Sequence, residues 1–128
     1  MLTSPSNGDG GGDNGKGTPA SGKIPISTLQ QATVNMGVST AGVFSQNDYF
    51  EPYEYTTLDL TDLDFGSSGA ALLSPYFSGG GVTQIVITGG KSGKLYIMDA
   101  NNLGGFREGN NLTDGGKYLL FKRFLRLC

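Results

Sequence analysis

Apolar and polar positions in this chain alternate in short runs separated by clusters of Gly, Pro, Asn and Ser, a pattern of half-buried strands rather than helices. Ala32–Val38 (Ala-Thr-Val-Asn-Met-Gly-Val) reads as a strand, Ser39-Thr40-Ala41-Gly42 as a turn, and Val43–Phe50 as the return strand. Gly69–Leu73 is a short buried-type run closed by Ser74-Pro75. Its Ala and Leu permit helix, but so few residues between Gly and Pro favour strand. Val82–Thr88 and Lys94–Asp99 form a second pair. They are joined by Gly89-Gly90-Lys91-Ser92-Gly93, a turn rich in residues that tolerate positive φ. A lone hairpin is only marginally stable in water, so these units must pack against similar sheets, here or in a longer parent protein.

The remaining segments lack that periodicity. Residues 1–23 are polar and Gly-rich and read as loop. Glu51–Asp62 mixes Pro, aromatics and acids and reads as a long loop, as do Tyr76–Gly81 and Ala100–Gly116. The one helix candidate is Lys117–Leu127, whose Leu and Phe residues partly share a face. The chain thus divides into a Gly-rich linker (1–30), a β body (31–116) and a basic amphipathic tail (117–128).

Composition narrows the chemistry. The chain has 128 residues, enough for one domain, but 22 Gly and a 37% apolar share suit a loop-rich chain better than a compact one. With no His, imidazole catalysis, imidazole metal ligation and a Ser-His-Asp triad are excluded. Cys128 is the only cysteine, so no internal disulfide or Cys-rich zinc site can form. The net charge of −2 hides an asymmetry: all 11 acids precede residue 117, while Lys117, Lys122, Arg123 and Arg126 follow with no acid among them. An acidic body argues against non-specific nucleic-acid binding. Residues 1–6 carry no charged and apolar signal-peptide pattern, and no apolar run approaches a membrane span.

Several motifs carry candidate chemistry. Asp48, Glu51, Glu54, Asp59, Asp62 and Asp64 lie close in sequence with no neighbouring cation. Such carboxylates repel one another, and either a hard cation such as Ca²⁺ relieves them through oxygen ligands or they form a solvated loop whose Asp side chains hold turns. Their spacing is not a metal motif. Gly10–Gly15 matches G-x-G-x-x-G, but no strand precedes it and no helix follows, so a dinucleotide site fails its context. Counting from Asn7, a Ca²⁺ loop would need Glu where Thr18 stands. Gly90-Lys91-Ser92 resembles a phosphate-loop ending, but the required first Gly falls on Ile85, and a hairpin turn accounts for it. Tyr49, Phe50, Tyr53 and Tyr55 either stack on a sugar or quinone ring or cover the base of a loop. The basic tail either lies on an anionic membrane or is a structural end. Asn111-Leu112-Thr113 is a glycosylation sequon.

The order strand, acidic loop, short strand, hairpin, Asp-turn resembles the quinoprotein alcohol dehydrogenase-like (PQQ-repeat) β-propeller. Val82–Asn101 looks like that family's repeat, a strand, a Gly-rich turn, and a strand ending in Asp plus a turn. Pro52–Leu72 resembles the crossing between blades, and Gly15–Pro25 with Val34–Phe50 are similar to secreted fungal members. Together these cover roughly residues 15–116. Two features depart from the family: the Trp often found in its repeat is missing, and Lys117–Cys128 matches no expected segment.

The resemblance implies an all-β fold, a propeller fragment of about one and a half four-stranded blades with Gly-rich loops and a short C-terminal helix or tail. Ala32–Val38 and Val43–Phe50 would end one blade. Gly69–Leu73, Val82–Thr88 and Lys94–Asp99 would belong to the next. A slice of this kind exposes strand edges that closure of a ring would protect. The parent is expected to be an extracellular oxidoreductase that oxidises a small alcohol or sugar with pyrroloquinoline quinone (PQQ) and Ca²⁺. In that family Ca²⁺ sits beside the quinone and an Asp acts as base, which directs attention to Asp62 and Asp64. A secreted parent makes Asn111 a credible glycan acceptor. The alternative is a non-catalytic propeller scaffold that binds a protein or glycan partner. No complete active site is visible in the chain itself.

Overall fold

A computed structural model describes residues 1–4, 31–106 and 119–122. These residues are mostly β-sheet with little helix. The first sheet contains β1 (Leu2–Ser4), β2 (Ala32–Val38), β3 (Phe44–Glu51) and, entering later in the chain, Gly105–Phe106. The helix α1 (Tyr55–Leu60) follows β3. The second sheet contains β4 (Ala70–Leu72), β5 (Ile85–Gly89), β6 (Lys94–Asp99) and β8 (Leu119–Lys122); Gly105–Phe106 is β7. The strand orders are β1-β2-β3-β7 and β4-β5-β6-β8. All pairings are antiparallel except β3 with β7, which is parallel.

The β2–β3 hairpin closes where Val38 faces Phe44, and Gly42 takes the left-handed φ of 77° that the turn needs. Ser39 holds the turn twice: its N–H donates to the Val43 carbonyl at 2.9 Å and its Oγ accepts the Val43 N–H at 3.1 Å. The register shifts between Asn35, which faces Asp48, and Met36, which faces Gln46. Asn47 is thus the extra residue of a β-bulge. In the β5–β6 hairpin the Gly93 N–H donates to the Gly90 carbonyl at 3.0 Å, and Gly93 has φ 73°.

Strand alternation decides which side chains meet. Val86 and Thr88 on β5 and Tyr96 and Met98 on β6 are buried on one face. Phe50 from β3 packs onto that face. Its ring centroid lies 5.6 Å from Tyr96 and 6.0 Å from Phe65, and Phe65 and Tyr96 are 4.9 Å apart. This aromatic triangle, with Leu58, Met98 and Leu103 around it, ties β3 to the second sheet. The opposite face of the first sheet builds a second core from Ala32, Val34, Tyr49, Tyr55 and Phe106. Tyr55 meets Phe106 edge-on at 5.5 Å.

Two apolar surfaces extend beyond these cores. On the second sheet Ile85, Ile87, Leu95 and Ile97 are half-buried on the face opposite Tyr96 and join neither core. On the first sheet the stripe Ala32, Val34, Met36, Val38 passes from fully buried to 62% exposed as it runs toward the hairpin tip.

Four sequence expectations need correction. The Lys117–Leu127 segment is not a helix over Leu119–Lys122, which pair as a strand with β6; residues 117–118 and 123–128 lie outside the described residues. A capless helix of three turns is marginal, whereas β6 offers an edge whose backbone groups need partners. Glu51–Asp62 is not all loop: α1 forms because Tyr55, Leu58 and Asp59 turn inward at one-turn spacing. Gly105–Phe106, within the expected loop Ala100–Gly116, adds to the β3 edge. Leu2–Ser4, within the expected N-terminal loop, pairs with Ala32–Val34. Among the described residues no helix is long and apolar enough to cross a membrane.

Candidate functional site

The six acids that crowd residues 48–64 end in separate environments. Asp48 sits in β3, fully buried, and its carboxylate is committed to backbone: Oδ1 accepts the Tyr49 N–H at 2.9 Å and Oδ2 accepts the Leu103 N–H at 3.0 Å. Glu51 is buried at the end of β3 and Asp59 in α1. Glu54 precedes α1, and its Oε1 accepts from the Lys94 ammonium and from the Tyr96 hydroxyl, the latter at 3.1 Å. This contact ties the start of α1 to β6.

Asp62 and Asp64, the pair singled out for Ca²⁺, are placed by the end of α1. Asp62 has the left-handed φ of 54°, which Asp tolerates better than most residues. Its N–H donates to the Asp59 carbonyl at 3.3 Å and the Leu63 N–H to the Leu58 carbonyl at 2.9 Å, a Schellman-type closure. The chain then meets the β5–β6 turn. The Lys91 N–H donates to the Asp64 carbonyl at 3.1 Å, and Gly90 lies so close that a Cβ there would stand 2.5 Å from the same oxygen. The Lys91 ammonium reaches Asp64 Oδ2 at 2.6 Å and Asp62 Oδ2 at 3.4 Å. The hydrogen bond to Asp64 holds Lys91 above the ordinary lysine value; desolvation opposes it, and the hydrogen bond to Asp62 adds to the rise.

This geometry tests the fit to Ca²⁺. The ion takes six to eight oxygen ligands. Here two carboxylates already share an ammonium, and the Asp62 side chain is 87% exposed. Among the described residues no three carboxylates or other metal-ligating side chains converge. The pair fits an ion-paired loop clamp, not a Ca²⁺ cage. Lys91 is the cation that sequence proximity hid, since it is brought to Asp62 and Asp64 only by the hairpin turn.

The aromatic group also divides. Phe50 belongs to the inter-sheet triangle, while Tyr49 and Tyr55 belong to the second core; Tyr53 is half-buried. Burial raises the Tyr49 phenol above its ordinary value, with Glu51 and Asp48 adding to the rise and a backbone hydrogen bond from the Phe106 region opposing it. None of these four rings forms an open stacking platform. Among the described residues an exposed pair is Tyr76 with Phe77, in a segment read only as loop. Their signal was available: an aromatic pair directly after Ser74-Pro75 lies beyond the strand that Pro ends, and so beyond the core.

Gly10–Gly15, the Asn7 loop, Asn111 and the tail beyond Lys122 lie outside the described residues. No protein-family model, curated protein or solved structure matches this chain.

Proposed function

We propose that this chain is an internal slice of a β-propeller of the quinoprotein alcohol dehydrogenase-like kind, whose extracellular parent oxidises an alcohol or sugar with PQQ and Ca²⁺. One observation supports the slice: two sheets meet where Phe50 of β3 packs on Tyr96 of β6 and on Phe65, and each sheet carries further apolar side chains away from that contact. The second sheet is antiparallel in the order β4-β5-β6-β8, similar to a four-stranded blade except that β7 of the first sheet intervenes between β6 and β8 in the chain. A neighbour on each side would cover Met36, Val38 and Phe44 at one end and Ile85, Ile87, Leu95 and Ile97 at the other.

In that parent the quinone carries the redox chemistry. This chain contributes wall and spacing, and the Ca²⁺ ligands come from other blades. The second reading is a non-catalytic propeller scaffold with a partner-binding rim. It is favoured by the Lys91 ammonium seated on both candidate carboxylates.

Reading the coding sequence on both sides of this segment separates the two. Further repeats with quinone and Ca²⁺ ligands support the oxidoreductase; a full ring without them removes it. Calorimetric titration of the chain with PQQ and Ca²⁺ should give no heat, and a saturable heat would place a site here. A monodisperse monomer that melts cooperatively would refute the slice itself.

A further inference from the structure

Among the described residues Phe44, Tyr76 and Phe77 expose their rings, and Tyr76 and Phe77 do so as a pair. Tyr76 is 89% exposed and Phe77 58%, yet they are held together edge-to-face, with centroids 5.6 Å apart and planes at 89°. The segment that carries them is a fixed turn. Pro75 opens a single 3-10 turn, the Ser74 Oγ accepts the Tyr76 N–H at 3.3 Å, and the Ser74 and Pro75 carbonyls accept the Phe77 and Ser78 N–H groups, both at 3.0 Å. Gly79 and Val82 then close the loop with two backbone bonds of 2.9 Å. Exposed rings on a preorganised turn lose little entropy on binding.

The surroundings select the ligand. From Phe65 to Gly90 the sequence has no charged residue. The groups that flank the rings in the chain are neutral: the exposed hydroxyls of Ser74, Ser78 and Thr83, and the backbone of Gly79–Gly81. This segment itself offers a charged ligand no counter-charge. Two rings are also far smaller than the apolar patch a stable protein interface buries. A pyranose suits both features, because it offers a face of C–H groups to an aromatic ring and a rim of hydroxyls to neutral donors and acceptors.

We propose that Tyr76 and Phe77 form a stacking platform for a neutral carbohydrate. The proposal rests on the scaffold reading and gives its glycan partner a location. Failure of that reading would appear in the coding sequence as quinone and Ca²⁺ ligands, whereas failure of the platform appears only in sugar binding.

The test is titration of the full chain with cellohexaose, maltohexaose and a sulfated heparin hexasaccharide, followed by NMR and calorimetry. Saturable binding of a neutral hexasaccharide is expected, with shifts centred on residues 74–83 and none with heparin. Tyr76→Ala and Phe77→Ala should each weaken it at least ~5-fold, while Tyr76→Phe retains most of it. Phe44→Ala, which removes another exposed ring, should leave it unchanged. Circular dichroism should stay unaltered in Tyr76→Ala, since that side chain supports no core. No saturable binding of either neutral sugar would overturn the platform. So would binding that survives both alanine substitutions, or a Tyr76→Ala effect on sedimentation alone, which would assign the rings to self-association.

Discussion

Replacing Phe50 by Ala tests whether the two sheets are one packed body. Phe50 is 2% exposed, and its ring touches both Phe65 and Tyr96. Removing a ring that buries about 150 Å² at ~25 cal/mol per Å² forfeits roughly 4 kcal/mol, inside the ~3–5 kcal/mol typical of Phe→Ala in cores. Phe44 supplies the control on the same strand: it is 69% exposed, so Phe44→Ala should fall within about 0.5 kcal/mol of the parent. Hydrogen exchange read by mass spectrometry suits the measurement, because it reports local opening without requiring a cooperative melt. Protection over residues 85–89 and 94–99 should fall about two to three orders of magnitude in Phe50→Ala and hardly at all in Phe44→Ala. A double-mutant cycle with Tyr96→Ala should return a coupling of ~0.5–1.5 kcal/mol. If Phe50→Ala lowers that protection less than tenfold, or if the two Phe substitutions act alike, the packing of β3 on the second sheet through Phe50 is refuted.

Three further outcomes follow from the same contacts. Gly90→Ala would set a Cβ 2.5 Å from the Asp64 carbonyl oxygen and 3.0 Å from the Phe65 Cα, so backbone must shift at ~1–3 kcal/mol; amide shift changes at 62–66 check it, and an unperturbed spectrum there would contradict the packing. Asp48→Asn replaces an acceptor by an amide donor facing the Leu103 or Tyr49 N–H, at a loss of about 1.5–3 kcal/mol, and the Leu103 amide should exchange faster while that of exposed Ser39 does not change. Alkaline pH should loosen the fold from two sites. Tyr49 and Lys91 both have folded values raised above their ordinary 10.0 and 10.5. Each therefore contributes fully below its unfolded value and loses that contribution as pH rises through the folded one. In an absorbance titration Tyr49 should ionise above the ordinary tyrosine value, and Lys91→Gln should remove the alkaline release of residues 62–64.

The strand cores were legible because their cause is local. Ala32–Val38 and Lys94–Asp99 alternate over several residues and end at Gly- or Asn-containing turns, and the observed strands have the same bounds. The Gly89–Gly93 turn was equally plain, since Gly93 takes the left-handed φ of 73° that favours glycine. The helix α1 was not legible: six residues with two inward apolar side chains carry too little period to separate from loop. Charge pairing failed for a related reason. Asp62 and Asp64 looked unneutralised along the chain, but the hairpin folds Lys91 onto them.

Sequence alone therefore determined the β class, the main hairpins and their turns, and the absence of imidazole chemistry, because each follows from residue type and short-range spacing. Tertiary structure decided the partners: β1 and β8 as added strands, β7 against β3, Phe50 between Phe65 and Tyr96, and Tyr76 with Phe77 left outside. Those choices depend on which backbone edges and apolar faces meet across tens of residues. Local propensity does not encode that meeting; burial and hydrogen-bond completion of the assembled sheets do.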